Sequence, residues 1–112
     1  MIIYNKNRYF KINAYEAGIF KKFSGLMFKS SKSDILLFNF NSDVNYFIHS
    51  LFVFFPFYAV WLDKNNRIIE YKLVKPFNFS VKPKSNFRKL LEIPINLKNQ
   101  KVIEFSVGKR NI

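Results

Sequence analysis

From the amino terminus the chain alternates apolar and polar residues in short runs with a period near two, separated by clusters of turn-forming residues. Ile2–Tyr4 reads as a short first strand. Arg8–Ala14 alternates from Phe10 onward, the pattern of a half-buried strand. Between Tyr15 and Ser24 the period changes. Ile19, Phe20, Phe23, Leu26 and Met27 fall at helical spacings and would share one face, which predicts one or two turns of helix with Gly25 as a left-handed cap. Lys29–Asp34 is polar and serine-rich, a loop. Ile35–Phe40 predicts a strand, Asn41-Ser42-Asp43 a turn, and Tyr46–Phe55 and Phe57–Leu62 two more strands. Asp63-Lys64-Asn65-Asn66 is a strong hairpin signal, because Asn and Asp tolerate positive φ, and Arg67–Val74 completes that hairpin. Val81–Asn86 is a basic loop. Lys89–Ile95 is a strand in which Pro94, lacking an amide donor, demands either a sheet edge or the strand end. Asn96–Gln100 reads as a turn, Val102–Val107 as a last strand, and Gly108–Ile112 as a frayed basic tail.

These signals predict a mostly β fold. It would be a compact β-sandwich or barrel-like domain of seven or eight short strands with one short helix. With 112 residues, no internal repeat and no long linker, the chain forms a single domain over residues 1–112. Almost half the residues are hydrophobic, far above the range of disordered chains, and aromatics reach 20%, led by 15 Phe, so a packed core is expected.

Composition excludes much chemistry. With no cysteine the chain has no disulfide, thiolate zinc site, iron–sulfur cluster or cysteine nucleophile. With one histidine, His49, it cannot build a multi-histidine metal site of its own. No glycine-rich phosphate loop occurs. No metal and no cofactor is expected. The residues Tyr46–Leu62 contain no formal charge, near the lower length limit of a membrane helix. Asp43 and Asp63 flank that run, Pro56 interrupts it, and its residues are strand formers, so buried strands are expected and no membrane span. The opening residues Met1–Lys6 lack an apolar run of signal-peptide length, which predicts a cytoplasmic protein.

The formal charge is +12. Such an excess attracts polyanions, so an acidic partner or nucleic acid is the partner class that charge alone favours. Of the 19 basic residues only 4 are arginine, the residue that base-reading proteins use for bidentate contacts, and an A+T-rich coding bias would raise lysine equally well. Lys82, Lys84, Arg88 and Lys89 form the densest basic cluster, with Phe79 and Phe87 nearby. Cations interleaved with rings bind single strands, provided the rings are exposed. The plainer expectation is a solvated loop over two buried phenylalanines.

The blocks of the chain resemble a known family. Gly25-Leu26-Met27-Phe28-Lys29 is similar to the "GLMFR" signature of the domain of unknown function 192 family, with Ala14 and Lys22 where that family has Ala and Arg. Leu36-Leu37-Phe38 resembles its "MLF" block, and His49–Pro56 resembles the archaeal form of the next. Val60-Trp61-Leu62-Asp63 is similar to "VFLD", Arg67-Ile68-Ile69-Glu70 to the strand after it, Lys75-Pro76-Phe77 to a "PW" site, and Leu91-Glu92-Ile93-Pro94 to "LELP". The resemblance covers about Ala14–Asn96 and implies a compact β-sandwich-like barrel of uncharacterised function. Four positions depart from it: Tyr58 stands where the family has Asp, Leu51 where it has Met, and Ile95-Asn96 where it has a small residue and Gly.

The candidate binding residues are His49, Ser50, Tyr58, Asp63 and Glu92. His49 beside Ser50 would serve proton transfer or anion binding, yet neighbours on a strand point to opposite faces, and a hydrogen-bonded imidazole in or near the core is the simpler expectation. Asp63 and Glu92 would do acid–base work only if brought within about 5–10 Å of each other. Otherwise Asp63 caps its turn and Glu92 pairs with a lysine. The sequence therefore ranks three functions: a non-catalytic ligand- or partner-binding module, then a nucleic-acid-binding module, then a metal-independent hydrolase or lyase using His49 with Asp63 or Glu92.

Overall fold

In the computed structural model, residues 1–17, 30–47, 53–78 and 80–108 are described. They form seven strands: β1 Ile2–Asn5, β2 Arg8–Lys11, β3 Ala14–Glu16, β4 Ile35–Val44, β5 Phe57–Leu62, β6 Ile68–Val74 and β7 Phe87–Pro94. A 3-10 turn, Leu97–Asn99, leads into helix α1, Gln100–Val107. The class is the expected one, a mostly β domain with one short helix among the described residues.

The strands make two sheets. β1 and β2 pair as a hairpin, closed by a turn in which Lys6 takes a φ of 58°. The other five run in the order β3-β4-β7-β5-β6, with β3 parallel to β4 and the remaining pairs antiparallel. The hairpin joins this sheet at one corner through a bridge between Tyr4 and Arg67 and a bond from the Tyr4 amide to the Asn66 carbonyl, 2.9 Å.

Both faces of the large sheet are covered, and β5 shows why. Every one of its residues is buried. Strands buried on both faces read as unbroken apolar runs, and Phe57-Tyr58-Ala59-Val60-Trp61-Leu62 is such a run. Tyr58, Val60 and Leu62 face one way with Ile35, Leu91 and Ile93, against Ile3 and Ile12 of the amino-terminal segment and Val102, Ile103, Phe105 and Val107 of α1. Phe57, Ala59 and Trp61 face the other way with Leu36, Phe38, Val74, Phe87 and Leu90, under Ala17, Val53 and Phe55.

Several local expectations are revised. Val102–Val107 is not a strand but the body of α1. Its β-branched residues favour a strand locally, but the flanking segments decide for helix. The 3-10 turn that leads into it is capped by Asn96, whose Oδ1 accepts the Asn99 amide at 2.9 Å, and at its carboxy end Gly108 turns left-handed at φ 74° while its amide bonds the Glu104 carbonyl at 2.8 Å. Asn41-Ser42-Asp43 is not a turn. It lies inside β4, where the register against β7 shifts between Asn39 and Val44 and Asn41 adopts φ 60°. This is a bulge, which also uses residues that tolerate positive φ. Ala14–Glu16 is a separate strand, so neither the strand Arg8–Ala14 nor a helix from Tyr15 holds as drawn. The remainder of that helix and Gly25 lie outside the described residues. Of the predicted strand Tyr46–Phe55, residues 48–52 lie outside the described set, and the described remainder is not strand. Pro94 ends β7, which is the middle strand of the sheet rather than an edge. A terminal proline interrupts no ladder beyond it.

Candidate functional site

The sheet sorts the predicted site residues by face. Glu92 lies opposite Leu36 on one side and Ala59 on the other, on the Trp61 face. It is 5% exposed, the one buried acid among the described residues. Tyr58 precedes Ala59 and so points to the opposite face. It is buried in the core there, with its ring edge-on to Tyr71 at 6.5 Å. Tyr58 thus fills a packing position where the resembling family has an acid.

Asp63 follows the end of β5. Its Oδ1 accepts the Asn65 amide at 2.8 Å and the Arg67 amide at 3.0 Å, and Asn66 turns at φ 62°. This is the turn-capping role. Ala59, the partner of Glu92, stands four residues earlier, or roughly 13 Å along a strand, so the structure does not bring Asp63 and Glu92 into one acid–base pair. His49 and Ser50 lie outside the described residues.

The basic cluster is dispersed in the same way. Arg88 is tied to Asp43, Nε to Oδ1 at 3.1 Å. Lys89 Nζ donates to Asn66 Oδ1 at the β5–β6 turn. The Lys84 amide donates to Glu70 at 2.9 Å, and its side chain is exposed. Phe87 is 1% exposed and packs edge-on against Trp61 and Phe40, so it offers no ring for stacking; Phe79 lies outside the described residues. Of the four cations, Lys82 lines a concave site.

That site is a groove of about 650 Å³ beside the end of β6, lined by Phe47, Lys72, Leu73, Asn78, Ser80, Val81 and Lys82. Lys72 sits across β5 from Glu92, since Ala59 pairs with both. Its Nζ bonds the Lys82 carbonyl at 2.6 Å and lies 3.6 Å from Glu70, which holds the 82–84 segment against β6. Phe47 is largely exposed, as are Phe54 and Phe77, whose rings meet edge-on at 5.4 Å. The Asn78 Oδ1 accepts the Ser80 amide, shaping the loop between Phe77 and Lys82. Two lysines, an asparagine, a serine and an exposed phenylalanine therefore line one depression, a set suited to an anion with a flat or apolar part. Sequence reading missed Lys72, Phe47, Asn78 and Ser80. The only signal was Lys72 at an inward-facing position of an edge strand, legible once the strand order is known.

No family model matches the chain, and no curated protein does. Among solved structures, the chain is similar to a protein of unknown function from Novosphingobium aromaticivorans DSM 12444, with a TM-score of 0.63 and 16% identity, over 77% of this chain and 64% of that one. The chain thus spans less than two thirds of that protein. It is also similar to a candidate transcription regulator from Sinorhizobium meliloti 1021, with a TM-score of 0.75 and 17% identity, over 97% of this chain and 87% of that one. At these identities the likeness is one of fold.

Proposed function

We propose that the chain is a non-catalytic binding module and that the groove beside β6 takes an anionic partner. One observation carries this reading: Lys72 and Lys82 line the groove together with Phe47, Asn78 and Ser80, while the candidate carboxylates are separated and Asp63 is committed to its turn. A cation pair beside an exposed ring recognises negative charge next to a planar or apolar group. A second reading, nucleic acid as that partner, is supported by the fold shared with a candidate transcription regulator and by the charge of +12. Kinship with the domain of unknown function 192 family belongs to the same proposal. It is supported by the placing of its "MLF", "VFLD" and "LELP" blocks on the adjoining strands β4, β5 and β7. So does residence in the cytoplasm, where a cysteine-free chain is at home. Among the described residues no helix is long and apolar enough to cross a membrane.

Fluorescence anisotropy tests both readings, using labelled single- and double-stranded DNA and RNA and a labelled acidic peptide from low to physiological salt. The expected result is saturable binding that Lys72→Glu with Lys82→Glu abolishes, and that neutralising Lys84, Arg88 and Lys89 leaves nearly unchanged. If the ligand is a single strand, loss of both groove lysines lowers the slope of log affinity against log salt by about 1.4, two contacts at about 0.7 each. Binding that responds equally to any lysine would assign it to diffuse charge and refute the groove.

A further inference from the structure

Strand β6 is an edge strand, with β5 on one side and, among the described residues, no strand along the other from Ile69 to Val74. Edge strands are templates for pairing with another chain, and proteins usually blunt them with lysine, proline or bulges. β6 carries Lys72 and a bulge at Ile69, yet one row of its side chains is apolar and half exposed. Ile69, Tyr71 and Leu73 alternate along it and are 41%, 42% and 45% exposed. The segment 82–84 meets β6 with its backbone, the Lys82 carbonyl and the Lys84 amide bonding the side chains of Lys72 and Glu70 rather than the main chain of β6.

The sequence of β6 is chemically symmetric about Tyr71. Laid antiparallel against its own copy, with a two-fold axis at Tyr71, it sets Tyr71 against the partner's Tyr71. Glu70 then faces the partner's Lys72, and Ile69 the partner's Leu73. Opposed aromatic, aliphatic and oppositely charged residues are the pairs that stabilise antiparallel ladders. An isologous contact needs a surface complementary to itself, and this strand meets that requirement from Ile69 to Leu73. The bulge that leaves Ile69 between the Trp61–Glu70 and Leu62–Ile68 pairs marks one end of the regular stretch.

We infer that β6 is a self-recognition surface through which two copies of the chain join edge to edge into one continuous antiparallel sheet. A lone strand carrying Glu70 and Lys72 without this symmetry would serve a foreign extended segment equally well; the match to its own reverse selects a second copy.

Sedimentation equilibrium over micromolar to sub-millimolar protein tests it, with circular dichroism to confirm folding. The wild-type chain is expected to dimerise. Ile69→Lys and Leu73→Glu each place a charge against an aliphatic residue and should weaken the dimer roughly tenfold or more. Together they set Lys against Glu twice across the axis and should restore association to within a few-fold of wild type. Both positions are exposed, so the monomers keep their fold. A monomer at all concentrations would overturn the inference. So would a dimer indifferent to the single changes, or a double variant no tighter than its parents.

Discussion

At the residue scale, backbone handedness separates two positions of opposite sign. Lys6 holds a φ of 58° in the β1–β2 turn, where a side chain crowds the following carbonyl. Replacing it with glycine removes that crowding, and Lys6→Gly should stabilise the fold by about 1 kcal/mol, read as a rise of several degrees in Tm. Gly108 holds φ 74° at the end of α1, with open space around the position of a Cβ. Its alanine variant meets no clash, only the left-handed strain, so Gly108→Ala should cost about 1 kcal/mol in chemical denaturation. Trp61 differs in kind. Its indole N–H is buried with no hydrogen-bond partner among the described residues, a cost borne by the core around it. The turn roles of Asp63 and Asn66 were legible in sequence because they depend on neighbours within four residues. The burial of Glu92 was not, because it depends on strands far away in the chain.

At the scale of elements, the carboxy-terminal helix is the clearest case of context deciding conformation. Val102–Val107 alternates well enough to pass for a strand, and it folds as a helix because a capped 3-10 turn leads into it, Gly108 caps its carboxy end and its Val102, Ile103 and Phe105 meet the Val60 and Leu91 face. Asn96 carries more than its cap. Its Nδ2 also bonds the Ser31 and Ser33 carbonyls at 2.9 and 3.1 Å, and Asn99 bonds the Ser33 and Pro94 carbonyls. The end of β7, the entry to α1 and the loop before β4 are thereby tied together. Asn96→Ala should cost about 2 kcal/mol, the upper end for loss of a helix cap, with faster amide exchange in α1 as the local signature. Pro94 shows the same dependence on context: as the last residue of β7 it sits in the middle of the sheet without breaking it.

At the scale of the whole molecule, the sheet is a wall between two apolar clusters, and β5 is shared by both. Trp61 is fully buried on one side of that wall and packs against Phe87. Trp61→Ala should cost about 3–5 kcal/mol by leaving a large cavity, a big share of the stability of a domain this size, and urea titration would show it as a lowered midpoint. The charge of +12 acts at this scale too: in the function proposed above it attracts polyanions, and the groove beside β6 is where that attraction becomes specific.

The amino-acid sequence by itself determined the β class, the β5–β6 hairpin and its Asp63 turn, the unbroken apolar run of β5, and the absence of thiol chemistry. Each follows from local periodicity, near-neighbour hydrogen bonds or composition. The tertiary structure alone decided that β7 lies between β4 and β5, that Glu92 and Tyr58 face opposite clusters, that Lys82 joins Lys72 while Arg88 and Lys89 are held elsewhere, and that β6 lies at an edge. Strand order is set by which distant apolar faces bury one another, and a period of two along the chain carries no record of that pairing.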